Sequence, residues 1–236
     1  MNQPEFDRYS PSYEELLKDP LRDRFTGGES VFFQERKRDL IRNYFRAAKR
    51  DTHEMGYLDI GCGKGELISL LRDDFGRTVG CDPSRGMLSS VEGIETKVQE
   101  DPARVPFEDQ EFDFVTAVCV YHHVPVPERL ALAREMARVL KPGGVFVMIE
   151  HNPFNPVTRR IVSRTPVDAD AVLLEAAEAR ELMSQAGFAP QPPHYFLYFP
   201  GGIYRRGAHV LEEFLRFLPL GGQYAVFATK TEGSDR

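Results

Sequence analysis

Hydrophobic and polar positions alternate with two different periods along the middle of the chain. Between residues 56 and 150, short runs rich in branched and aromatic side chains are separated by stretches with apolar residues at helical spacing. The runs are typical of buried strands, and the stretches between them are typical of amphipathic helices. Strands that alternate with helices predict β-α-β units, and therefore a parallel sheet covered on both faces.

Five strands and the helices between them can be placed from this pattern. The clearest helix is predicted over residues 128–140, where Leu130, Ala133, Ala137 and Leu140 share one face. The Lys-Pro-Gly-Gly that follows predicts the end of this helix and a turn. The strands are predicted in the segments YLDIG, TVGCD, IETKVQ, FDFVTAVCV and VFVMIE.

The two ends of the chain differ from this central region. Residues 1–53 are polar and helix-prone, and we expect them to form a helical cap. After residue 150 the chain is first proline-rich and then predicts a helix ending at Gly187, two more strands and a short amphipathic helix. We therefore predict a single domain over 54–236, with elaborations at about 151–172 and 200–222.

Composition excludes several classes of protein. No apolar run approaches the roughly 18–20 residues that a membrane span requires, and the first twenty residues lack the apolar core of a secretory signal. The three cysteines have neither an even count nor metal-site spacing, so we expect no disulfide framework and a reducing, cytoplasmic location. The net charge of −6 argues against nucleic acid as a partner.

The sharpest local pattern is the glycine-rich turn at residues 59–65, DIGCGKG. A strand that ends in glycines and turns directly into a helix lets the backbone approach a ligand closely. The turn is not a P-loop, because Lys64 is followed by Gly65. It also departs from the dinucleotide fingerprint, because Glu66 stands at the sixth position, where a pyrophosphate would lie. A ligand without phosphate, held through a cationic group at Asp59, fits the pattern.

Four motifs in order resemble those of the class I S-adenosylmethionine-dependent methyltransferases. The glycine turn resembles their D-x-G-x-G-x-G motif, and Asp82 ends the second strand, where such enzymes place an acid on the ribose hydroxyls. The segments DPARVPF from Asp101, EFDFV from Glu111 and RVLKPGG from Arg138 resemble the later motifs. Pro102 within the first of these segments departs from the family pattern. The resemblance covers about residues 56–150.

This resemblance implies a fold, a cofactor and a set of contacts. The fold class is α/β: a doubly wound, mostly parallel seven-stranded sheet with helices on both faces and an antiparallel last strand. The implied cofactor is S-adenosyl-L-methionine, with S-adenosyl-L-homocysteine as product. The residues expected to bind it are Asp59, Gly61, Cys62, Gly63, Asp82, Pro83, Met87, Asp101, Pro102 and Cys119.

Candidates for acid–base chemistry follow the fourth and fifth strands. In α/β sheets, ligands bind beyond the carboxyl ends of the strands, and His122, His123 and His151 lie there. A histidine with a pKa of about 6.5 can accept a hydroxyl proton at neutral pH, so these three are the predicted catalytic residues. Their alternative role is structural. No spacing of histidine and acidic residues demands a metal, so no metal is expected.

The predicted function is methyl transfer to a small molecule: a specialised metabolite, a sugar derivative or a lipid-linked intermediate. Oxygen is the favoured acceptor atom, with nitrogen and carbon open. The elaborations at 151–172 and 200–222 are expected to form the acceptor site. The aromatic residues of the last third of the chain fit core packing, an isoprenoid-like acceptor or peripheral contact with a membrane. The oligomeric state is not determined by the sequence.

Two other classes of protein stay open. One is a noncatalytic module that binds the cofactor and transfers nothing. The other is a nicotinamide-dependent oxidoreductase, which shares the general sheet but is disfavoured by Glu66.

Overall fold

A central sheet of eight strands dominates the computed structural model, which describes residues 5–29, 31–102 and 104–231. Five strands match the predicted central segments, and three more follow in the last third of the chain. The strands are β1 (Gly56–Ile60), β2 (Arg77–Asp82), β3 (Glu95–Val98), β4 (Phe112–Val118), β5 (Leu140–His151), β6 (Phe188–Pro190), β7 (His194–Phe196) and β8 (Gln223–Lys230).

The sheet order is β3-β2-β1-β4-β5-β8-β6, and β7 also pairs with β8. The first five strands are parallel, whereas β8 runs antiparallel to β5, β6 and β7. The short strands β6 and β7 pair with different parts of β8, so eight strands fill seven positions across the sheet. The predicted doubly wound, mostly parallel sheet with an antiparallel last strand is confirmed.

Helices cover both faces of the sheet. Helices α4 and α5 pack with Tyr57 and Phe114 in a hydrophobic cluster on one face, and α7 and α9 pack with Leu58 and Val115 on the other. The helices are α1 (Glu5–Tyr9), α2 (Tyr13–Leu16), α3 (Pro20–Thr26), α4 (Val31–Ala47), α5 (Glu66–Leu71), α6 (Arg85–Leu88), α7 (Arg129–Val139), α8 (Pro156–Val162), α9 (Ala176–Gln185), α10 (Gly201–Ile203) and α11 (His209–Leu215). The division into a cap over 1–53 and a domain over 54–236 stays a prediction.

The Lys-Pro-Gly-Gly turn is placed differently from the prediction. Helix α7 ends at Val139, and β5 begins at once at Leu140, so the four residues lie inside the span of the strand. The pairing with β4 shifts register there, from Phe112↔Leu140 to Phe114↔Val145. Gly143 has a φ of +72°, which glycine tolerates. The predicted turn therefore exists as a bulge between two paired stretches.

One edge of the sheet collects the ends of several strands. The parallel strands β1, β2, β4 and β5 all present their carboxyl ends there. The antiparallel strand β8 begins at the same edge, since Gln223 pairs with His151. Ligands of open α/β sheets bind at this edge, so residues from distant parts of the chain can meet around one cleft.

Candidate active site

The glycine turn after β1 adopts a backbone that favours glycine. Gly61 and Gly63 have φ values of +66° and +54°, and the Cys62 N–H donates to the carbonyl of Cys81 at 3.0 Å. A Cβ on Gly61 would lie 2.5 Å from the side chain of Val120, whereas one on Gly63 would meet nothing within 4 Å. The turn is therefore packed on one side and open on the other, where it borders a cleft.

Two buried carboxyl groups flank this turn. Asp59 is 3% exposed, accepts a hydrogen bond from the hydroxyl of Thr116, and is predominantly shielded from water. This burial raises its pKa to about 7, against the opposing effects of the Thr116 hydrogen bond and the charge of Lys37. Asp82 accepts hydrogen bonds from the N–H groups of Gly63 at 2.9 Å and Ser84 at 2.8 Å. Burial raises the pKa of Asp82 as well.

These carboxyl groups lack a cationic hydrogen-bond donor among the residues that the structure describes. Asp59 and Asp82 are held by a hydroxyl and by backbone N–H groups, which stabilise a carboxylate without neutralising it. The turn therefore presents two carboxyl groups, with no cationic hydrogen-bond donor on either, beside open space. Such a site favours a cationic ligand and disfavours a phosphate.

The cleft has a volume of about 800 Å³ and extends from this turn along the carboxyl edge of the sheet. Nearly all of the predicted site residues line it. Those that do are Asp59, Gly61, Cys62, Gly63, Asp82, Pro83, Met87, Pro102, Cys119, His122, His123 and His151.

Asp101 is the exception. Its side chain is exposed and is not part of the cleft wall, although Pro102 next to it is. Gln99, at the end of β3, lines the cleft instead, and its amide donates to the carbonyls of Asp101 and Pro102 at 3.3 and 3.4 Å. Pro102 is the departure from the family motif already noted in the sequence, and the chain turns here so that the acid faces solvent.

Cys119 follows β4 in a left-handed conformation, with a φ of +57°. This conformation is uncommon for a side-chain-bearing residue and marks a constrained position. The N–H of Cys119 still donates to the carbonyl of Ile149 at 2.8 Å, so the chain leaves the sheet only after this residue. Burial raises the pKa of the thiols of Cys62, Cys81 and Cys119, which keeps them protonated and disfavours a nucleophilic role.

The three predicted catalytic histidines form one cluster in the wall of the cleft. The ring of His122 lies with its centroid 4.1 Å from that of His123 and 5.2 Å from that of His151. His122 is buried, and its Nδ1 lies 2.6 Å from Oε2 of Glu150, a fully buried carboxylate at the end of β5. Oε1 of Glu150 accepts the N–H groups of Val120 at 3.0 Å and Tyr121 at 2.7 Å.

The three imidazoles differ in pKa and therefore in charge at neutral pH. Burial alone would lower the pKa of His122, but the charge of Glu150 and the hydrogen bonds to Asp168 and Glu150 outweigh it and raise the pKa to about 10. Burial, assisted by the nearby charge of His122, lowers the pKa of His123 and of His151 to about 4. At neutral pH His122 is therefore a cation in this arrangement, and the other two are neutral.

Two polar residues beside the histidines, Tyr121 and Asn152, have structural positions. The side chain of Tyr121 packs in the core and its hydroxyl has no hydrogen-bond partner among the described residues. The amide of Asn152 donates to the carbonyls of Pro219 at 3.0 Å and Gly221 at 2.8 Å. Asn152 therefore anchors the loop before β8.

The first helix packs over the cofactor-side end of the cleft. Asp7 accepts hydrogen bonds from the hydroxyl of Ser84 at 2.6 Å and from the N–H of Gly86 at 3.0 Å, which joins α1 to the turn after β2. Phe6 and Tyr13 line the cleft from this side. Residues from the N-terminal part of the chain thus cover the glycine turn.

Lys37, Asp168 and Gln223 line the cleft but were not predicted from the sequence. Lys37 is 5% exposed and lies on the apolar face of α4, four residues after Phe33 and three before Leu40. A lysine on an otherwise apolar helical face was the signal that could have found it. Asp168 and Gln223 carried no such signal, because their role depends on which distant residues they approach.

Comparison with known proteins agrees with this geometry. Residues 58–148 match a family model described as a methyltransferase domain. A demethylmenaquinone methyltransferase from Staphylococcus aureus (strain MRSA252) is 36% identical over an alignment of 130 residues, which covers 48% of this chain and 53% of the relative. The match thus spans about half the length of these curated relatives.

Solved structures share the fold over nearly the whole chain. A SAM-dependent methyltransferase from Thermotoga maritima superposes with a TM-score of 0.67 at 18% identity, covering 96% of this chain and 98% of that one. One from Archaeoglobus fulgidus gives 0.60 at 19% identity, covering 86% and 100%. At these identities the likeness shows the fold alone.

Fold and motifs together define the class of protein: a Rossmann-like α/β sheet with a glycine turn after β1 and acids after β1 and β2. Together with the family match, they show that residues 58–148 form a methyltransferase domain of the class I S-adenosylmethionine-dependent kind. The resemblance noted in the sequence is confirmed. Across the described residues, none of the helices is both long enough and apolar enough to cross a membrane.

Proposed function

We propose that this protein transfers a methyl group from S-adenosyl-L-methionine to a small, largely apolar molecule. The observation that carries the proposal is the pair of buried carboxyl groups, Asp59 and Asp82, on either side of an open glycine turn. A cationic nucleoside with no phosphate matches this charge. A dinucleotide would bring its pyrophosphate against the same carboxylates and against Glu66, which also lines the cleft.

The chain's own residues fit the parts of this cofactor. The open side of Gly63 leaves room for a ligand against the backbone, and the carboxyl of Asp59 lies at the same turn, suited to a cationic group. Asp82 can accept two hydrogen bonds from a vicinal diol. Pro83, Met87 and Pro102 supply apolar walls for a flat base, and Gln99 supplies an amide beside them. When bound, the cofactor supplies an electrophilic methyl group on a sulfonium.

The other end of the cleft supports an apolar acceptor. Side chains from α3, α4 and α8, from the segments that follow α2 and α8, and from the segment after β7 form its wall, and most of them are apolar. They are Leu17, Phe25, Phe33, Val157, Ile161, Val162, Val167, Leu197 and Tyr198. The curated relatives are named for demethylmenaquinone, an acceptor that is also largely apolar. We therefore favour an aromatic or isoprenoid-bearing acceptor, with oxygen as the favoured atom and carbon and nitrogen open.

We place His122, His123 and His151 at the reacting end of the acceptor. Their cluster follows β4 and β5 at the carboxyl edge of the sheet, and it lines the same cleft as the glycine turn. Methyl transfer is an in-line displacement, so the chain must hold the acceptor atom, exclude water and, for a hydroxyl, provide for its proton. Removal of that proton by one of these histidines stays a prediction.

The proposal predicts that Asp82→Ala weakens binding of S-adenosyl-L-homocysteine by about 1–3 kcal/mol, because buried hydroxyl groups of the ligand lose their acceptor. The measurement is isothermal titration calorimetry. Asp73→Ala is the matched control, since it removes an exposed acid that lies outside the cleft wall, and its affinity should stay within about twofold of the wild type. Equal affinities of Asp82→Ala and wild type would mean that the ribose is bound elsewhere.

A second prediction concerns the acceptor end. His151→Ala should lower kcat for methyl transfer by about tenfold or more while the affinity for S-adenosyl-L-homocysteine stays within about twofold, because this side chain contributes to the reacting end and not to the cofactor end. Transfer of an isotope-labelled methyl group to a panel of quinols and phenols measures kcat. Loss of cofactor affinity with unchanged kcat would reverse the assignment of the two ends.

The same labelled assay separates an enzyme from a noncatalytic module. Label in any acceptor of the panel or of a cell extract supports transfer. Calorimetric binding of S-adenosyl-L-homocysteine with no labelled product from either source would instead support a binding module.

A further inference from the structure

A group of potential metal ligands lies within the histidine cluster. The structure brings together His122, His123 and Asp168, each with one ligand atom, and these atoms all lie within 4.8 Å of one another. Nε2 of His122 is 3.6 Å from Oδ1 of Asp168, and Nε2 of His123 is 3.5 Å from the same oxygen. Tetrahedral ligands at about 2.0–2.2 Å from a zinc-sized ion lie about 3.3–3.6 Å from one another. Two of the three separations therefore already approach those of an occupied site.

The hydrogen bonding of His122 resembles that of a metal-binding histidine. Its Nδ1 faces the buried carboxylate of Glu150 at 2.6 Å, and the other oxygen of Glu150 is fixed by two backbone N–H groups. When a metal replaces the proton on Nε2, Glu150 holds the remaining ring proton on Nδ1, and the lone pair of Nε2 faces the side of Asp168. In metal-bound histidines the N–H of the second ring nitrogen almost always donates a hydrogen bond to a carboxylate, a backbone carbonyl or water. This hydrogen bond fixes both the tautomer and the ring orientation.

The charges of the cluster also match a divalent cation. With a metal on Nε2 of His122 and of His123 the two imidazoles are neutral, and the two carboxylates of Glu150 and Asp168 carry the charge that one divalent ion balances. The ammonium of Lys37 lines the same cleft, but no hydrogen bond joins it to either carboxylate in the part of the chain that the structure describes.

The site is reachable from the cleft. The side chain of Asp168 is 11% exposed and that of His123 is 26% exposed, while His122 and Glu150 form its closed side. An ion held by the three ligands would therefore keep positions open towards the cleft, where an acceptor can approach. Gln223, at the start of β8, lines the same region with a buried Oε1 that lacks a partner among the described residues.

We propose that His122, His123 and Asp168 bind a divalent first-row transition ion, with Glu150 as the positioning residue for His122. Two imidazoles and one carboxylate favour zinc, manganese, iron or cobalt over magnesium or calcium, which prefer all-oxygen ligands. Metal binding itself requires only these residues. Its role, to hold and polarise an acceptor oxygen, rests on the proposed function. No metal was expected from the sequence, because Asp168 is far from the two histidines along the chain.

The test uses the full chain, stripped with a chelator and titrated with cobalt chloride, whose visible absorption reports nitrogen and oxygen coordination. One equivalent of Co²⁺ should bind and be displaced by Zn²⁺. Asp168→Asn and His123→Gln should each weaken binding at least tenfold, and Glu150→Gln should weaken it about 10–100-fold. Asp170→Asn is the matched control, because it removes a neighbouring acid of the same cleft that is outside the ligand group, and its affinity should stay within about twofold of the wild type.

Two results would overturn the metal site: no stoichiometric cobalt uptake by the wild type, or equal uptake by Asp168→Asn with retained circular dichroism. Calorimetry with S-adenosyl-L-homocysteine on the same samples keeps the two proposals apart. Cofactor binding without metal removes only the metal site. Metal binding without cofactor binding removes the proposed function and leaves the metal site in place.

Discussion

Asp59 shows how a single residue can serve binding at the expense of stability. Its carboxyl group is buried beside Thr116, and the charged groups that face it are the ammonium of Lys37 and the carboxylate of Asp82. Burial raises its pKa to about 7, since the charged form is poorly solvated there. A cationic ligand would replace the lost solvation. We therefore expect this residue to be unfavourable in the free protein and favourable in the complex.

The affinity for S-adenosyl-L-homocysteine should fall about tenfold between pH 8 and pH 6, because a protonated Asp59 no longer attracts the ammonium group of the ligand. Calorimetry at several pH values measures this slope. Asp59→Asn should bind more weakly at pH 8 and should lose most of the slope. A slope unchanged in Asp59→Asn would assign the pH dependence to another group.

The same residue makes a prediction for the free energy of unfolding. The folded pKa lies above the unfolded value, so ionised Asp59 destabilises the free protein; the effect is absent below about pH 4 and complete above about pH 7. Asp59→Asn should therefore stabilise the cofactor-free protein at pH 8 by about 2–4 kcal/mol and have little effect at pH 4. Urea unfolding at the two pH values measures the difference. Destabilisation at pH 8 would contradict the assigned pKa direction.

At the scale of elements, helix α1 is held beside the cleft by the hydrogen bonds of one side chain, Asp7. Asp7 holds the helix to the turn between β2 and α6 through Ser84 and Gly86, and the neighbouring Phe6 forms part of the cleft wall. Gly86 has no room for a side chain, because a Cβ there would lie 2.6 Å from the hydroxyl oxygen of Ser10. The contact is therefore close packing as well as hydrogen bonding, and it covers the cofactor end.

Asp7→Ala should speed the release of S-adenosyl-L-homocysteine several-fold, because α1 loses both hydrogen bonds that hold it over the cleft. Stopped-flow displacement of the ligand measures the rate. Arg8→Ala changes an exposed residue of the same helix and should release the ligand at the wild-type rate. Identical rates for Asp7→Ala and wild type would show that α1 does not limit release.

At the scale of the whole molecule, exposed apolar side chains concentrate between residues 203 and 220. Val157 lines the cleft and is nearly half exposed, and the chain between α10 and β8 exposes several larger groups. These are Ile203, Val210, Leu211, Phe214, Phe217, Leu218 and Leu220. Their grouping along one segment of the chain differs from singly scattered apolar residues, which need no explanation. Peripheral contact with a membrane, which the sequence left open, stays a prediction.

Ligand binding should stabilise the whole molecule in a selective way. At about one hundred times its dissociation constant, S-adenosyl-L-homocysteine contributes about 2.7 kcal/mol, which raises Tm by about 5–10 °C for a chain of this length. NAD at the same concentration should leave Tm unchanged, because its pyrophosphate would face Asp59, Glu66 and Asp82. Thermal unfolding with each ligand measures both shifts. A larger shift with NAD would favour the oxidoreductase.

Much of the fold could be read from the sequence because the signals are local. The strand and helix periods, the glycine turn and the acids after β1 and β2 are all patterns within short segments of the chain. These patterns were enough to predict the sheet and the cofactor end of the cleft. The order of the strands follows from rules of chain connection that hold across α/β proteins. The turn at Gly143 was also local, but its place within β5 depended on pairing with β4.

Tertiary structure decided the acceptor end. Glu150, His122 and Asp168 come from β5, the turn after β4 and the segment after α8, and only packing shows that the first two share a hydrogen bond and that the third completes a ligand group. Asp101 faces solvent although its motif is local, because the orientation of a loop depends on what packs against it. The strand period fixes which residues can reach the edge of a sheet, and the distances across that edge decide which of them act together.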